Sequence, residues 1–194
     1  MSTETAAAQR RANILESAVH TFAELGFRRS AMEDIAAAAG ISRPALYQYF
    51  RNKAEVFRAA SEHIQTTALN EAKRALAAMP DAPLAGQLAA VLITYKLPAW
   101  RIVATTPHGS DLLTLNEDLA EDVTMAARAA ALDLLVAALA PQIASGWDAD
   151  TAARLLLDAS WTAVSAAPSE DAFRTDLSEL AALWANALTR ARPG

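Results

Sequence analysis

Residues 30–53 read SAMEDIAAAAGISRPALYQYFRNK, and this stretch decides the fold. Ser30 followed three residues later by Glu33 has the spacing of a capping box, so a helix is predicted to start there. Met32, Ile35, Ala36 and Ala39 then stand at i, i+3, i+4 and i+7, one apolar face over two turns. Gly40 ends that helix, because a residue without a side chain turns left-handed at no steric cost. Ile41 plugs the corner from inside. Ser42 caps a second helix, and Pro44 is tolerated in its first turn, where an N–H has no intrahelical acceptor. Leu46 and Phe50 point inward one turn apart. Asn52 with Glu55 repeats the cap signature, and Lys53 opens a third helix.

Two helices meeting steeply at a short turn with a glycine form a helix-turn-helix. The second helix of such a pair can enter the major groove of duplex DNA with its first residues against base edges. Its exposed face here carries Arg43, Pro44, Ala45, Tyr47, Gln48 and part of Tyr49, with Ser42 at its start. Arg43 can donate two hydrogen bonds to guanine, Gln48 can pair with an adenine edge, and the Ala45 methyl can touch thymine. The Tyr47 hydroxyl and the Lys53 ammonium suit phosphate, which sets register without reading sequence.

The pattern extends beyond the corner. Ile14, Phe22, Gly26-Phe27, Ile35-Ala36, Ala39-Gly40-Ile41-Ser42, Leu46-Tyr47, Phe50 and Lys53 recur at the spacing of one family. Residues 10–58 resemble the DNA-binding domain of the TetR (tetracycline-repressor-like) regulators. The resemblance implies a dimeric, all-helical repressor with a variable ligand-binding domain after the motif. It places Ser30, Arg43, Ala45, Tyr47, Tyr49 and Lys53 where the family contacts DNA. Two departures stand out: Glu33 replaces a frequent basic residue and Ala31 a frequent threonine, so phosphate contact from the first helix of the motif is weakened.

The fold class expected is all-α. Alanine and leucine, the best helix formers, dominate a chain of 194 residues that is 53% hydrophobic. The expected organisation is residues 1–53 as a three-helix DNA-binding domain and 54–194 as a helical ligand-binding and dimerisation domain. With no cysteine, thiolate metal sites and cysteine nucleophiles are excluded. The first residues lack an apolar signal core, and the longest apolar stretch, around 123–144, is interrupted by Arg128 and Asp133. A cytoplasmic protein with no membrane partner is expected. The net charge of −5 is unevenly spread. Residues 1–58 hold eight of the 17 basic and six of the 22 acidic residues, so the basic surplus lies with the motif.

Along the rest of the chain, residues 1–8 are expected to be frayed and a first helix to run to about Leu25. A long helix from Lys53 to about Ala78 should act as a stiff link. A helix over about 84–97 is limited by Pro98, with a short helix around 99–105 after it. Ser110 is predicted to cap one long helix ending before Pro141; Glu117, Asp118, Glu121 and Asp122 on it read as a solvated face rather than a metal site. Two helices remain, about 149–166 and 170–190. Both carry more apolar surface than one core needs, which predicts a two-fold dimer through a four-helix bundle. Leu156, Trp161, Val164, Leu177, Leu180, Trp184 and Leu188 are its candidate residues.

A ligand among the middle helices would be met by Tyr95, Trp100, Arg101, His108, Asn116, Met125 and Trp161. The site is expected to be mainly apolar, favouring a hydrophobic or aromatic small molecule and no cofactor. Partners are therefore double-stranded operator DNA, a second copy of the chain and an unnamed effector. The sequence holds no H-E-x-x-H, G-x-S-x-G or phosphate-cradling glycine loop, so no enzyme is expected. The alternatives to a repressor released by ligand are a regulator without a small-molecule ligand and a small all-helical enzyme.

Overall fold

The computed structural model describes residues 3–190, which form α-helices and no strands. The helices are α1 (Thr3–Leu25), α2 (Met32–Ala38), α3 (Arg43–Tyr47), α4 (Lys53–Ala77) and α5 (Leu84–Thr105), then α6 (Gly109–Leu119), α7 (Glu121–Leu139), α8 (Ala149–Ala159), α9 (Trp161–Ala166) and α10 (Glu170–Leu188). They fall into two compact units. One comprises the chain up to Gln65 with Thr105–Met125; the other comprises Thr66–Ala104 with the chain from Ala126 onward.

The first unit is built on α1. Ile14, Leu15, Ala18 and Phe22 form a buried stripe on α1, and Ile35 of α2, Leu46 of α3, and Val56 and Phe57 of α4 are buried in the same unit. Full burial of a side chain such as Leu15 or Phe22 contributes about 2 kcal/mol. The rings of Phe22, Phe27 and Phe57 pack against each other with centroids 5.4–5.7 Å apart, tilted or edge-on. Leu112 of α6 and Ala120 are also buried. His108, at the start of α6, lays its ring over Gly26, and its backbone N–H donates to the Ala23 carbonyl at 3.0 Å.

The second unit encloses Leu84, Leu88, Val91, Leu92 and Trp100 of α5, Leu135 and Leu139 of α7, Leu156 and Leu157 of α8, and Phe173 and Leu177 of α10. Asp148 and Ser169 cap α8 and α10, accepting from Thr151 N at 2.8 Å and Ala172 N at 3.1 Å. By length and mean hydropathy α5 is the one described helix that could cross a membrane; here its Leu84–Leu88–Val91–Leu92–Trp100 stripe lines a protein core.

Several expectations need correction. The chain is helical from Thr3, where a run of alanines with high helix propensity replaces the expected frayed end; residues 1–2 lie outside the described part. The helix α2 starts at Met32, and its cap is the Asp34 carboxylate, which accepts from Ala31 N at 2.7 Å; Ser30 and Glu33 do not form it. Pro98 does not stop α5. A proline there leaves the Thr94 carbonyl without its N–H and costs about 3 kcal/mol, but Leu92 and Trp100 on either side are buried and hold the helix together.

The long helix expected from Ser110 is two. Ala120 (φ −147°, ψ 32°) breaks it and is completely buried. Glu121 and Asp122 suit a helix N-terminus, and the Asp122 carboxylate takes both guanidinium branches of Arg58 on α4. That pairing lowers the Asp122 pKa to about 2. The Glu117 side chain lies outside the described part. The segment 149–166 is also interrupted, at Ser160, whose buried hydroxyl donates to the Leu157 carbonyl at 2.7 Å.

Candidate nucleic-acid interface

The corner between α2 and α3 is closed by its backbone. After the last turn of α2, Gly40 takes φ +66°, its N–H donates to Ala37 O at 3.1 Å, and the Ile41 N–H donates to Ala36 O at 3.0 Å. This is the paired bonding of a Schellman stop, and it uses two carbonyls that a bare helix end would leave open. Ser42 then caps α3, accepting from Ala45 N at 3.3 Å, with Pro44 in the first turn. Buried Leu46 and Phe50 pin the helix from behind. The Arg11 guanidinium of α1 covers the Phe50 ring at 5.5 Å. Asn52 caps α4, its Oδ1 accepting from Glu55 N at 2.9 Å, and the Glu55 carboxylate reaches back past the cap to accept from Arg51 N at 2.7 Å.

What this frame presents is the outer face of α3. Ser42, Arg43, Pro44, Tyr47 and Gln48 are exposed; Ala45 and Tyr49 are half-buried beside them. Tyr47 is exposed to 43%, and the Arg43 guanidinium lies 5.7 Å from its ring, so the two side chains brace each other. A forked donor, an amide and a phenol project from one short, well-supported helix. That set can read a base edge and hold a phosphate.

Two of the expected contact residues are placed differently. Ser30 is 3% exposed, and its hydroxyl donates to the Phe27 carbonyl at 3.0 Å, because α2 begins one residue late and turns Ser30 inward. Lys53 is half-buried. Its ammonium donates to the carbonyls of Phe27, Arg28 and Ser30 and lies 4.6 Å from the centre of the Phe27 ring. In this structure it ties the α1–α2 loop to α4. Arg28 and Arg51, which flank motif residues in the sequence, are also exposed cations of this unit.

The seven candidate ligand residues are divided between the two units. His108, Asn116 and Met125 belong to the first unit; Tyr95, Trp100, Arg101 and Trp161 belong to the second. Arg29 holds the His108 Nε2, and Nδ1 is 3.1 Å from the Asp111 carboxylate. Arginine has only protons to give, so Nε2 accepts and Nδ1 donates. Asn116 Oδ1 is buried with no partner among the described residues. Met125 is 59% exposed. Trp100 is a core residue, stacked near Phe173 at 5.5 Å and donating to the Ala167 carbonyl at 3.3 Å. Arg101 reaches out to Glu170 in a bidentate pair at 3.0 and 3.1 Å. Tyr95 and Trp161 do share surroundings, around Lys96.

The dimer candidates also divide. Leu156, Val164, Leu177 and Leu188 are buried within the second unit, and Trp184 is half-buried with its indole N–H on the Ala152 carbonyl at 3.1 Å. The apolar side chains left on the outside are Leu155 (45% exposed), Trp161 (47%) and Leu183 (66%), with Leu180 partly covered.

Residues 14–60 match the family described as bacterial regulatory proteins, tetR family. Over that segment, about a quarter of the chain, it is similar to the tetR family. The chain is 38% identical over 65 residues to the HTH-type transcriptional regulator TtgR of Pseudomonas putida, a match covering 34% of this chain and 31% of TtgR. The matched part is thus about a third of that relative's length. In the solved structures, SmeT, the repressor of the Stenotrophomonas maltophilia multidrug efflux pump SmeDEF, is 26% identical with a TM-score of 0.62, covering 91% of this chain and 87% of its own. SmeT has also been seen in complex with triclosan. FadR of Bacillus subtilis, solved with stearoyl-CoA, is 19% identical with a TM-score of 0.66, covering 91% and 98%. At that identity the likeness is one of fold.

Proposed function

We propose that this chain is a transcriptional repressor that binds a near-palindromic operator as a homodimer and is released by a small, mainly apolar ligand. The observation that carries the reading is the outer face of α3, where Arg43, Tyr47 and Gln48 stand exposed on a helix fixed from behind by Leu46 and Phe50. Each copy reads one half-site, the two spaced about one DNA turn apart, roughly 34–36 Å, or somewhat more. DNA reading belongs to residues 1–53, dimerisation and ligand response to 54–194. The second copy meets the face of α8 and α10 that carries Leu155 and Leu183, an apolar surface that an isolated protein would leave wet.

The complexes of SmeT with triclosan and FadR with stearoyl-CoA support a small-molecule effector. Ligand binds best to a form whose paired reading helices no longer match the operator, and the shift is bounded by that difference in affinity. The test is a gel shift on the DNA upstream of the chain's own gene and its neighbours. Sequence-specific retardation is expected, abolished by Arg43→Ala together with Gln48→Ala. Retardation that is unchanged in that double variant sinks the assignment of α3.

A further inference from the structure

The helix α5 carries a lysine where its packing asks for an apolar residue. Lys96 lies one turn beyond buried Leu92 and one turn before buried Trp100, and is itself 8% exposed. Its ammonium is 5.1 Å from the centre of the Trp161 ring and 5.8 Å from that of Tyr95. Among the described residues it has no hydrogen-bond acceptor and no ion-pair partner. Two charged groups face it, Arg128, which repels it, and Asp158, which attracts it. Asp158 is already committed, 2.6 Å from Arg128 and 3.9 Å from Arg154. Burial lowers the Lys96 pKa to about 8, which leaves it charged at neutral pH.

A buried ammonium without an anion is unfavourable, and leucine or methionine would fill the same space without that cost. Two aromatic faces offset a part of it. What the arrangement lacks is an acceptor, and the rings that flank the ammonium suit a flat apolar body beside it. Trp161, 47% exposed, stands at the outer side.

We propose that Lys96, Tyr95 and Trp161 bind the charged end of an aromatic anion, with the Lys96 ammonium donating to its oxygens. The proposal rests on the regulator reading above and names the chemical class of its effector. The test uses naphthoate, its neutral isostere naphthamide, and naphthyl phosphate, titrated calorimetrically into the full chain. Naphthoate binds at least tenfold tighter than naphthamide; Lys96→Met abolishes that preference, Lys96→Arg keeps it, and Trp161→Leu weakens both ligands. Naphthyl phosphate binding as tightly as naphthoate identifies a general anion site, and weaker binding a carboxylate site; both support the proposal. Equal affinity for naphthoate and naphthamide, no binding of either, or a preference that survives Lys96→Met overturns it. So does a shift of the monomer–dimer equilibrium in Lys96→Met with no anion preference in the wild type, which assigns the ammonium to a subunit interface. Gel shifts on the same variants separate the two readings. Anion preference without operator binding refutes the regulator and leaves the site, and operator binding without anion preference refutes the site alone.

Discussion

Lys53 and Arg43 are both cations of the helix-turn-helix, but their surroundings assign them different work. Arg43 is exposed and braced by the Tyr47 ring, with Glu33 also attracting it. Its replacement by alanine should relax base preference by about 1–3 kcal/mol and leave the melting temperature unchanged, read by competition gel shifts beside thermal melts. Lys53 spends its ammonium on three carbonyls of the α1–α2 loop. Lys53→Met should destabilise the protein by about 1–3 kcal/mol; an unchanged melt would show that those bonds carry no weight. The difference was not legible in the sequence, because the carbonyls lie 23–26 positions away and no local pattern links them. Arg43 and Gln48 were legible, because exposure on a short capped helix follows from spacing alone.

Lys96 gives a second residue-scale prediction. Its folded pKa, about 8, is below the ordinary 10.5, so between these values the unfolded chain holds a proton that the folded one has released. The penalty is complete below pH 8 and fades as pH rises toward 10.5. Lys96→Met should therefore be more stable than wild type at pH 7 by about 3 kcal/mol, a gap that closes by about pH 10.5. Urea melts of both proteins at several pH values measure it; a gap independent of pH counts against the buried charge.

At the scale of elements, two left-handed glycines end two helices, and their neighbourhoods differ. A Cβ on Gly40 would meet nothing within 4 Å, so Gly40→Ala carries the conformational cost alone, about 1–2 kcal/mol. A Cβ on Gly26 would sit 3.4 Å from the His108 ring at φ +79°. Gly26→Ala should lose more stability than Gly40→Ala in denaturant melts, and equal losses would show that the His108 ring yields freely. Both helix ends could be read from the sequence, since a glycine after an apolar stripe is a local signal. The breaks at Ala120 and Ser160 could not: alanine and serine interrupt no pattern, and the Arg58–Asp122 pair that accompanies the first joins residues 64 positions apart. Pro98 misled in the other direction, because core packing outweighed a strong local breaker.

For the whole molecule, stripes on α8 and α10 implied more apolar surface than one core needs, but not which side faces out. Adjacent residues on a helix differ by about 100° in direction, so Leu156 is buried and Leu155 is not. The proposed dimer face can be tested by Leu155→Glu with Leu183→Glu, both at exposed positions where folding should survive. Sedimentation should show a monomer, with operator affinity falling steeply because two half-sites are no longer read together. A dimer that persists places the contact elsewhere.

The first compact unit is not a leading segment of the gene: Thr105–Met125 returns to it, bringing Leu112, Ala120 and the His108 ring over Gly26. Anyone grafting this compact unit onto a foreign sensor by splicing at position 65 would leave a piece of it behind. A working chimera has to transplant both fragments at once, and natural recombination within this fold meets the same obstacle.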